Sequence, residues 1–312
     1  MFVTEGLVEQ HIHGCFGVDF MNCSQEELLE TAKHLSYCGV TAFFPTIMTD
    51  DIEKIKDRIS VVKSAMNIQS DKAAKIAGIH LEGPFINPEK AGIHQKEYIQ
   101  NLDIDIYKKI EDDAIKIVTI APELDCSGKF IQYLKSKCIK ISAGHTLASD
   151  LSNVNQVTHL YNAMGTFNHR TPSTTVSALS DDDILIEIIA DSKHVSDDVL
   201  KITFKQKNIS KVLLISDALP LAHSSKKKQM FAGQQIFNKN GNLVNAEGTM
   251  AGSSMLLCDI VKNLTDKKIL TIQDAIKASS TNQLKYHNLQ NNLKVYWNKN
   301  NSVEKVEFIS VY

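Results

Sequence analysis

The chain has 312 residues, of which 43% are hydrophobic, and its 34 lysines and arginines nearly balance 36 aspartates and glutamates, for a formal net charge of -2. So small a charge gives no field that gathers phosphate backbones or anionic lipid, which argues against a nucleic-acid-binding or membrane-surface protein and favours a small-molecule ligand. The six cysteines are scattered without a C-x-x-C pair, and no signal peptide or membrane span is evident. We therefore expect a cytoplasmic protein with reduced thiols, organised as one large domain or two modest ones.

Short runs rich in β-branched and apolar residues alternate with segments of helical periodicity. The short runs predict eight strands, at residues 7–12, 40–44, 76–81, 115–120, 139–143, 156–160, 184–190 and 211–215. Segments of helical spacing predict helices at residues 25–37, 51–68, 127–137, 197–207, 254–266 and 271–282. Strands and helices in this alternation indicate an α/β fold, a (β/α)8 TIM-type barrel, in which reactive groups lie at the carboxyl ends of the strands.

Two segments near the end of the chain have strand patterns of a different kind. Residues 230–247 predict a hairpin, because apolar residues flank Asn240-Gly241, a strong two-residue turn signal. Residues 293–312 alternate like two further strands around a pair of asparagines. We interpret these segments as a small β appendage that packs on the barrel.

Polar residues end several of the predicted strands. His11 and His13 are two apart, so both side chains point to the same side of a strand, as two ligands of one ion must. Glu82, His145 and His159 add a carboxylate and two imidazoles from separate strands, a set that suits zinc or a ferrous-type ion with positions left open for water and substrate. A lone histidine at a strand end is more often structural, but several on one face indicate a metal site. Further polar residues at strand ends are His80, Glu123, Asp191, His194 and Asp217.

Asp217 follows the eighth predicted strand. A carboxylate at that position would face the barrel mouth, where it can accept a proton from an activated water molecule and pass the proton to a leaving group. A helix N-cap in the following loop is the alternative interpretation of the same residue.

One stretch of the chain carries an unusual combination of residues, His80-Leu81-Glu82-Gly83-Pro84-Phe85 followed by Lys90-Ala91-Gly92-Ile93-His94. It strongly resembles the signature of N-acetylglucosamine-6-phosphate deacetylases, a branch of the amidohydrolase superfamily. Other motifs of that family occur in the family's order: His11-Ile12-His13-Gly14, Ala143-Gly144-His145-Thr146, Thr158-His159-Leu160-Tyr161-Asn162-Ala163-Met164, His169-Arg170, Ser216-Asp217-Ala218 and Gly248-Thr249-Met250-Ala251-Gly252-Ser253. Ordered motifs over about four fifths of a chain are far more specific than any single motif.

The resemblance implies a metal-dependent enzyme that hydrolyses the acetamido group of N-acetylglucosamine 6-phosphate to give glucosamine 6-phosphate and acetate. Asp217 matches the general base and acid of the family. Five positions match metal ligands, namely Glu82, His145 and His159 for the main catalytic ion, and His11 and His13 for a second ion in those relatives that use one. The implied cofactor is therefore one or two divalent ions per subunit, with zinc or iron as the first candidates.

The resemblance also implies a substrate-binding set. His94 matches the residue that contacts the acetamido carbonyl, and Arg170 matches a phosphate-binding arginine that in dimers can reach the neighbouring subunit's site. The other matched positions contact the sugar or phosphate or line the sugar pocket: Asn162, Ala163, His194, Met250, Ala251 and Gly252. Arg58 and Arg170 are the only arginines of the chain, so the bidentate guanidinium that suits phosphate is available at just two places. The implied assembly is a homodimer.

The two ends of the chain depart from the family's pattern. The first barrel strand is predicted almost at Met1, and residues 286–312 are rich in asparagine and lysine and contain no glycine. We therefore expect residues 7–225 and 249–285 to form the hydrolase barrel. Residues 226–248 and 286–312, with 1–6, are expected to be the remnant of a small β-sandwich domain.

Two alternative functions stay open at this level. Deacetylation of another N-acylated sugar phosphate fits the same residues, because nothing at Asn162 or Arg170 separates sugar epimers. The second is a catalytically inactive sugar-phosphate-binding relative, although a binding protein has no need of a general base such as Asp217.

Overall fold

The structure is a computed structural model that describes residues 2–309. Its centre is the predicted barrel, whose parallel strands are β1 (Leu7–Ile12), β2 (Val40–Met48), β3 (Ile79–Glu82), β4 (Ile115–Ile120), β5 (Lys140–Ala143), β6 (Gln156–Val157), β7 (Leu185–Ile189) and β8 (Val212–Ile215). The strands lie side by side in chain order from β1 to β8. The barrel closes between its first and last strands, where the backbone N–H of Asp217 donates to the carbonyl oxygen of His11 at 3.0 Å and Ile12 bridges Ala218.

The α-helices are Gln25–Tyr37, Ile52–Ile68, Ile104–Tyr107, Lys129–Ser136, Thr174–Ser180, Asp197–Gln206, Leu257–Asp266, Ile272–Ile276 and Asn282–His287. A capping box between Ser24 and Glu27 fixes the start of the first helix. A π-helical turn, Lys277–Thr281, joins the last two helices, so helical structure continues five residues beyond the predicted 271–282 segment, to His287. Within residues 2–309, no helix has both the length and the apolar character that crossing a bilayer requires.

The interior of the barrel is polar below its mouth. The imidazole Nε2 of His80 lies 2.7 Å from Thr119 Oγ1, and the amides of Gln10 and Gln156 donate to the buried carboxylate of Glu187. Buried polar groups are stable only when they are hydrogen-bonded, so these pairings hold the inward-facing side chains in fixed positions. They form a rigid floor beneath the residues at the strand ends.

A four-stranded antiparallel sheet lies at the mouth of the barrel and is called the mouth sheet below. Its strands are Lys228–Phe231, Gln234–Lys239, Asn242–Val244 and Met250–Gly252. The predicted turn has positive φ angles at both Asn240 and Gly241, 55° and 84°, as a type I′ turn requires. A bridge between Ser253 and Ala218 fastens the sheet to the residues that follow β8.

A three-stranded antiparallel sheet lies beside the amino ends of β1 and β2 and is called the base sheet below. It pairs Phe2–Glu5 with Leu293–Trp297, which in turn pairs with Val303–Phe308. The hydroxyl of Thr41 in β2 donates to the side chain of Asn292 at 2.6 Å. The two predicted strands are thus present, while residue 1 and residues 310–312 of the predicted appendage lie outside the described part of the chain.

Candidate active site

A cavity of about 320 Å³ opens at the carboxyl ends of the barrel strands and is called the mouth cavity below. The residues that line it include most of those selected from the sequence: His13, Glu82, His94, His145, His159, Asn162, Ala163, His194, Asp217, Met250 and Ala251. The side chains that could bind a metal ion are nearly all buried there, among them His11, which lies just beneath the lining. The carboxyl ends of the barrel strands therefore bring these residues together in the mouth cavity.

Glu82, the last residue of β3, is at the centre of the cluster. Its Oε1 atom lies 3.1 Å from Nε2 of His145 and 3.0 Å from Nε2 of His159. The two imidazole nitrogens are themselves 3.1 Å apart. One carboxylate oxygen and two imidazole nitrogens that converge in this way are the donor set of a zinc or iron site.

His11 and His13 approach the same carboxylate from β1 and the residue after it. Nε2 of His13 lies 3.3 Å from Glu82 Oε2 and 3.2 Å from Asp217 Oδ1. Nε2 of His11 lies 3.5 Å from Glu82 and 3.6 Å from Asp217, and it is buried with no hydrogen-bond partner among residues 2–309. A buried polar atom is costly without a partner, so this unpaired nitrogen beside two carboxylates fits a bound divalent cation.

The charges of the cluster favour a cation as well. Burial alone would raise the pKa of Glu82, but the surrounding histidines, His11 first, hold it well below its usual range. The pKa of Asp217 is lowered in the same way by His13 and His11, against the effect of burial. Both carboxylates also raise the pKa of His13 to about 9 although burial opposes this shift. Carboxylates that stabilise a positive charge on imidazole produce a negative potential that attracts a metal cation.

Three of the clustered residues have a left-handed backbone just after a strand. The φ angles of His145, His159 and Asp217 are 48°, 31° and 50°, a conformation that costs energy for residues other than glycine. At Asp217 a hydrogen bond within the same chain holds this conformation, because the carbonyl oxygen of Asp217 accepts the backbone N–H of Ser253 at 2.9 Å. The sharp reversal turns each side chain inward from the end of its strand.

Glu187, in the middle of β7, supports the cluster from below, and sequence reasoning missed it. Its Oε2 atom lies 3.1 Å from Nδ1 of His11, so the carboxylate orients the ring whose other nitrogen faces the cavity. Burial would raise the pKa of Glu187, but the hydrogen bond to His11 together with the charges of His11 and His80 outweighs burial and lowers the pKa. A signal was present in the sequence, since Glu187 is the one charged residue in the predicted apolar strand 184–190.

Two further contacts orient histidines at the edge of the cavity. Nδ1 of His145 lies 2.7 Å from the carbonyl oxygen of Lys90, and Nδ1 of His94 lies 2.8 Å from Thr49 Oγ1. Burial, followed by the charge of His145, lowers the pKa of His94 to about 4, so His94 is neutral at pH 7. Gly92 has φ of 60°, and a Cβ atom there would lie 3.3 Å from the His145 ring, which explains a glycine in this motif.

The cavity is also lined by residues matched to the sugar phosphate, among them Asn162, Ala163 and His194. His194 is held by Asp191, whose Oδ2 lies 2.8 Å from its Nδ1. Burial lowers the pKa of His194, but the Asp191 carboxylate outweighs burial and raises it. The cavity is completed by residues that were not selected from the sequence as site residues: Met48, Glu89, Lys90, Gly92, Ile93 and Thr249.

Gly252 and Glu123 do not line the cavity, and their contacts are structural. A Cβ atom at Gly252 would lie 2.8 Å from the carbonyl oxygen of Asp217, so this glycine permits the mouth sheet to approach the end of β8. Glu123 accepts hydrogen bonds from Asn87 and Leu147 at 2.9 Å and 2.7 Å, and it orders the loops around the mouth.

Arg170 lies outside the mouth cavity of its own chain. It is exposed, and its Nε lies 3.1 Å from Nε2 of the adjacent His169. The same loop exposes the ring of Phe167, which is 67% accessible. The structure therefore separates this predicted phosphate ligand from the other predicted site residues.

Comparisons with known proteins place this geometry in a family. None of the protein-family models compared with the chain matches it. The chain is 33% identical to the N-acetylglucosamine-6-phosphate deacetylase of Bacillus subtilis over 292 residues, which cover 90% of this chain and 74% of the relative. It is 26% identical to the N-acetylgalactosamine-6-phosphate deacetylase of Escherichia coli O157:H7 over 283 residues, which cover 88% of this chain and 74% of the relative.

The structure leads to the same family. It superposes on the crystal structure of N-acetylglucosamine-6-phosphate deacetylase from Thermotoga maritima with a TM-score of 0.90 and 26% sequence identity, covering 98% of this chain and 87% of the other. The barrel, the cluster of histidines and carboxylates at its mouth and the extent of these similarities agree. The chain belongs to the N-acetylglucosamine-6-phosphate deacetylase family.

Proposed function

We propose that this protein hydrolyses the acetamido group of N-acetylglucosamine 6-phosphate and releases glucosamine 6-phosphate and acetate. The observation that carries the proposal is the convergence of Glu82, His145, His159 and Asp217 on one cavity, three as a metal-ligand set and one as a base. The volume of the cavity lies within the range of small-molecule sites.

Glu82, His145 and His159 would hold the main catalytic ion, and His11 with His13 would hold a second ion. A divalent cation such as zinc or iron bound there would supply Lewis acidity, polarising the acetamido carbonyl and lowering the pKa of a water molecule toward ~7. The unpaired nitrogen of His11 supports the second position, and Glu187 fixes the orientation of that ring.

Asp217 would act as the general base and then as the general acid. Its lowered pKa keeps it ionised at neutral pH, so it can accept the proton of the attacking water. The same carboxyl group then protonates the departing amine. His94 would stabilise the developing oxyanion: in the tautomer whose Nδ1 accepts from Thr49 Oγ1, Nε2 carries the proton and would donate it to the carbonyl oxygen.

The sugar phosphate would lie in the cavity beside Asn162, Ala163, Met250 and Ala251, which line it. His194 would contact the sugar and phosphate, and its raised pKa increases the cationic fraction that attracts a phosphate group. Gly252 would not contact the sugar itself. Because it has no side chain, it would allow Met250 and Ala251 of the same strand to lie close to Asp217.

Arg170 would bind the phosphate of a substrate held by the neighbouring subunit of a homodimer. Two observations support this assignment. The guanidinium lies outside the cavity of its own chain, and the same region exposes Phe167 and Leu147, which are 67% and 41% accessible. Apolar side chains of this kind are suited to burial against a second copy.

We further propose the domain division expected from the sequence, with residues 7–225 and 249–285 as the hydrolase barrel. Residues 226–248 and 286–312, with 1–6, would be the remnant of the small domain. In support, the strands described in these segments are antiparallel and belong to sheets other than that of the barrel.

A related deacetylation is the second candidate function. A relative that acts on N-acetylgalactosamine 6-phosphate covers nearly as much of this chain as the relative from Bacillus subtilis does. An inactive sugar-phosphate-binding protein is less well supported, because Asp217 is held ionised at the centre of the site and serves no purpose in binding alone.

Release of free amine by the purified protein, with its metal content measured in parallel, tests the proposal. We expect amine release from N-acetylglucosamine 6-phosphate at a higher kcat/KM than from N-acetylgalactosamine 6-phosphate or unphosphorylated N-acetylglucosamine. Preference for the galacto sugar would favour the second candidate. Metal-loaded protein that released no amine from any N-acetylhexosamine phosphate would refute a deacetylase function.

A further inference from the structure

Two cysteines form a pair on the side of the barrel, in a second cavity that shares no lining residue with the mouth cavity. Cys38 follows the helix Gln25–Tyr37 directly, and Cys258 is the second residue of the helix Leu257–Asp266. Both side chains line this cavity, which has a volume of about 220 Å³. They come from distant parts of the sequence, so only the fold brings these thiols together.

An imidazole and a carboxylate accompany the pair. His223 and Asp259 line the same cavity of about 220 Å³, and Nε2 of His223 lies 2.7 Å from Asp259 Oδ2. The ring of Phe16 packs edge-on against His223, with centroids 5.9 Å apart, and limits its rotation. The side chains of His223 and Asp259 are 36% and 35% accessible, so a small solute can reach the cavity from solvent.

The surroundings favour a thiolate at Cys38. The neighbouring Cys258 thiol lowers the pKa of Cys38, and the charge of His223 lowers it further, against the opposing effect of burial. His223 carries that charge more readily because its hydrogen bond to Asp259 raises its pKa. By contrast, burial raises the pKa of Cys23 to about 12, which leaves that thiol unreactive.

We infer that Cys38 and Cys258 form a peroxide-sensitive modification site, in which Cys38 is the nucleophile and Cys258 closes a disulfide with it. The arrangement of a nucleophile, an imidazole and a carboxylate that orients the imidazole activates cysteine in general. A second thiol close to the first converts an oxidised cysteine into a reversible disulfide, and Cys258 lines the same cavity as Cys38. This inference does not depend on the proposed function, since none of these residues lines the mouth cavity.

The chemistry balances with hydrogen peroxide as the oxidant. The Cys38 thiolate attacks one peroxide oxygen, the O–O bond breaks, and Cys38 becomes a sulfenic acid while the leaving hydroxide takes a proton to form water. The sulfur of Cys258 then attacks the Cys38 sulfur, the S–O bond breaks, and the hydroxyl leaves as a second water with the Cys258 proton. Two thiols are oxidised by two electrons, and one peroxide is reduced to two waters.

The experiment treats the reduced full-length protein with a small excess of hydrogen peroxide, blocks the remaining thiols by alkylation and maps the peptides by mass spectrometry. We expect the six thiols to fall to four, with one cross-linked peptide that joins Cys38 to Cys258. The reductant dithiothreitol should restore all six. Cys126→Ser, at an exposed cysteine elsewhere on the surface, is the matched control and should form the same cross-link.

Variants separate the two roles. Cys258→Ser should accumulate a sulfenic acid at Cys38 that dimedone traps, whereas Cys38→Ser should yield neither the disulfide nor a dimedone adduct at Cys258. His223→Gln should slow the oxidation of Cys38 without changing which cysteines pair. The inference is wrong if peroxide leaves all six thiols intact, if Cys126 or Cys138 is oxidised as fast as Cys38, or if the thiol loss persists in Cys38→Ser.

Discussion

The mouth sheet and the base sheet are both small antiparallel sheets attached to one barrel, but their side chains have different surroundings. Most residues of the mouth sheet are buried or half-buried. The sheet contributes Met250 and Ala251 to the cavity and places the ring of Phe231 5.6 Å from that of His13. In the base sheet, Leu293, Val295 and Trp297 are fully buried and alternate with the exposed Lys294 and the half-buried Tyr296.

This difference assigns separate tasks to the two ends of the barrel. At the carboxyl ends of the strands, the protein buries histidines and carboxylates and holds some of them in a left-handed backbone conformation. This arrangement lowers stability and is suited to a reaction. At the amino ends, apolar burial without charge serves stability. Substitutions at the mouth should therefore change turnover, and substitutions in the base sheet should change the free energy of unfolding.

The largest effect is expected for Glu82→Gln. Glu82 touches His13, His145 and His159, and its removal takes the central negative charge from the proposed ion site. A catalytic metal contributes several kcal/mol, so we expect kcat/KM to fall by about 10³-fold or more. Metal analysis with amine-release kinetics measures this. Retention of both metal and activity would remove Glu82 from the ligand set.

Asp217→Asn should give the next largest effect. The amide keeps the shape of the side chain but neither accepts nor donates the catalytic proton, so kcat should fall by ~10²–10⁴-fold. Metal content should stay near that of the native enzyme, which distinguishes this variant from Glu82→Gln. Near-normal turnover in Asp217→Asn would rule out the assignment of Asp217 as the base.

Leu293→Ala tests the base sheet. Loss of a fully buried leucine should lower the free energy of unfolding by ~2–5 kcal/mol, with kcat per folded molecule unchanged. Urea denaturation followed by circular dichroism measures the change. Lys294→Ala, at the adjacent exposed position, is the matched control and should lie within about 0.5 kcal/mol of the native protein. A kcat deficit in Leu293→Ala without loss of stability would contradict the separation of tasks.

Arg170→Ala should have the smallest effect on catalysis, and the effect should be confined to phosphorylated substrates. Loss of a charged hydrogen bond worth about 1.5–3 kcal/mol should raise KM for the phosphorylated sugar by roughly 10–100-fold. The unphosphorylated sugar should be unaffected. Arg170→Lys, which keeps the charge but loses the bidentate fork, should be intermediate. Equal KM increases for both sugars would show that Arg170 does not bind the phosphate.

The barrel could be predicted because each strand is an apolar run bounded by turn residues, and the candidate ligands could be predicted because they interrupt those runs at their carboxyl ends. The strand predicted at 156–160 is shorter in the structure, ending at Val157, because the left-handed backbone at His159 leaves the sheet. Short-range patterns carry no sign of such a reversal in a residue other than glycine.

Other features depend on contacts between distant parts of the chain. Gly252 is needed because the carbonyl oxygen of Asp217 lies against it, and Glu187 matters because it orients the ring of His11. The sequence suggested one β appendage, whereas in the described residues no strand of the mouth sheet pairs with a strand of the base sheet. Strand partners in separate segments are set by tertiary packing, which single-sequence periodicity does not record.

Trp297 is the only tryptophan of the chain, and it is fully buried in the base sheet, stacked on Phe2 with its indole N–H donating to Thr4. Its fluorescence is therefore an intrinsic optical signal from the amino end of the barrel alone. Substrate or metal titrations should leave the emission nearly constant, while opening of the base sheet should shift it to longer wavelength. The molecule thus carries its own spectroscopic label on the end opposite its chemistry.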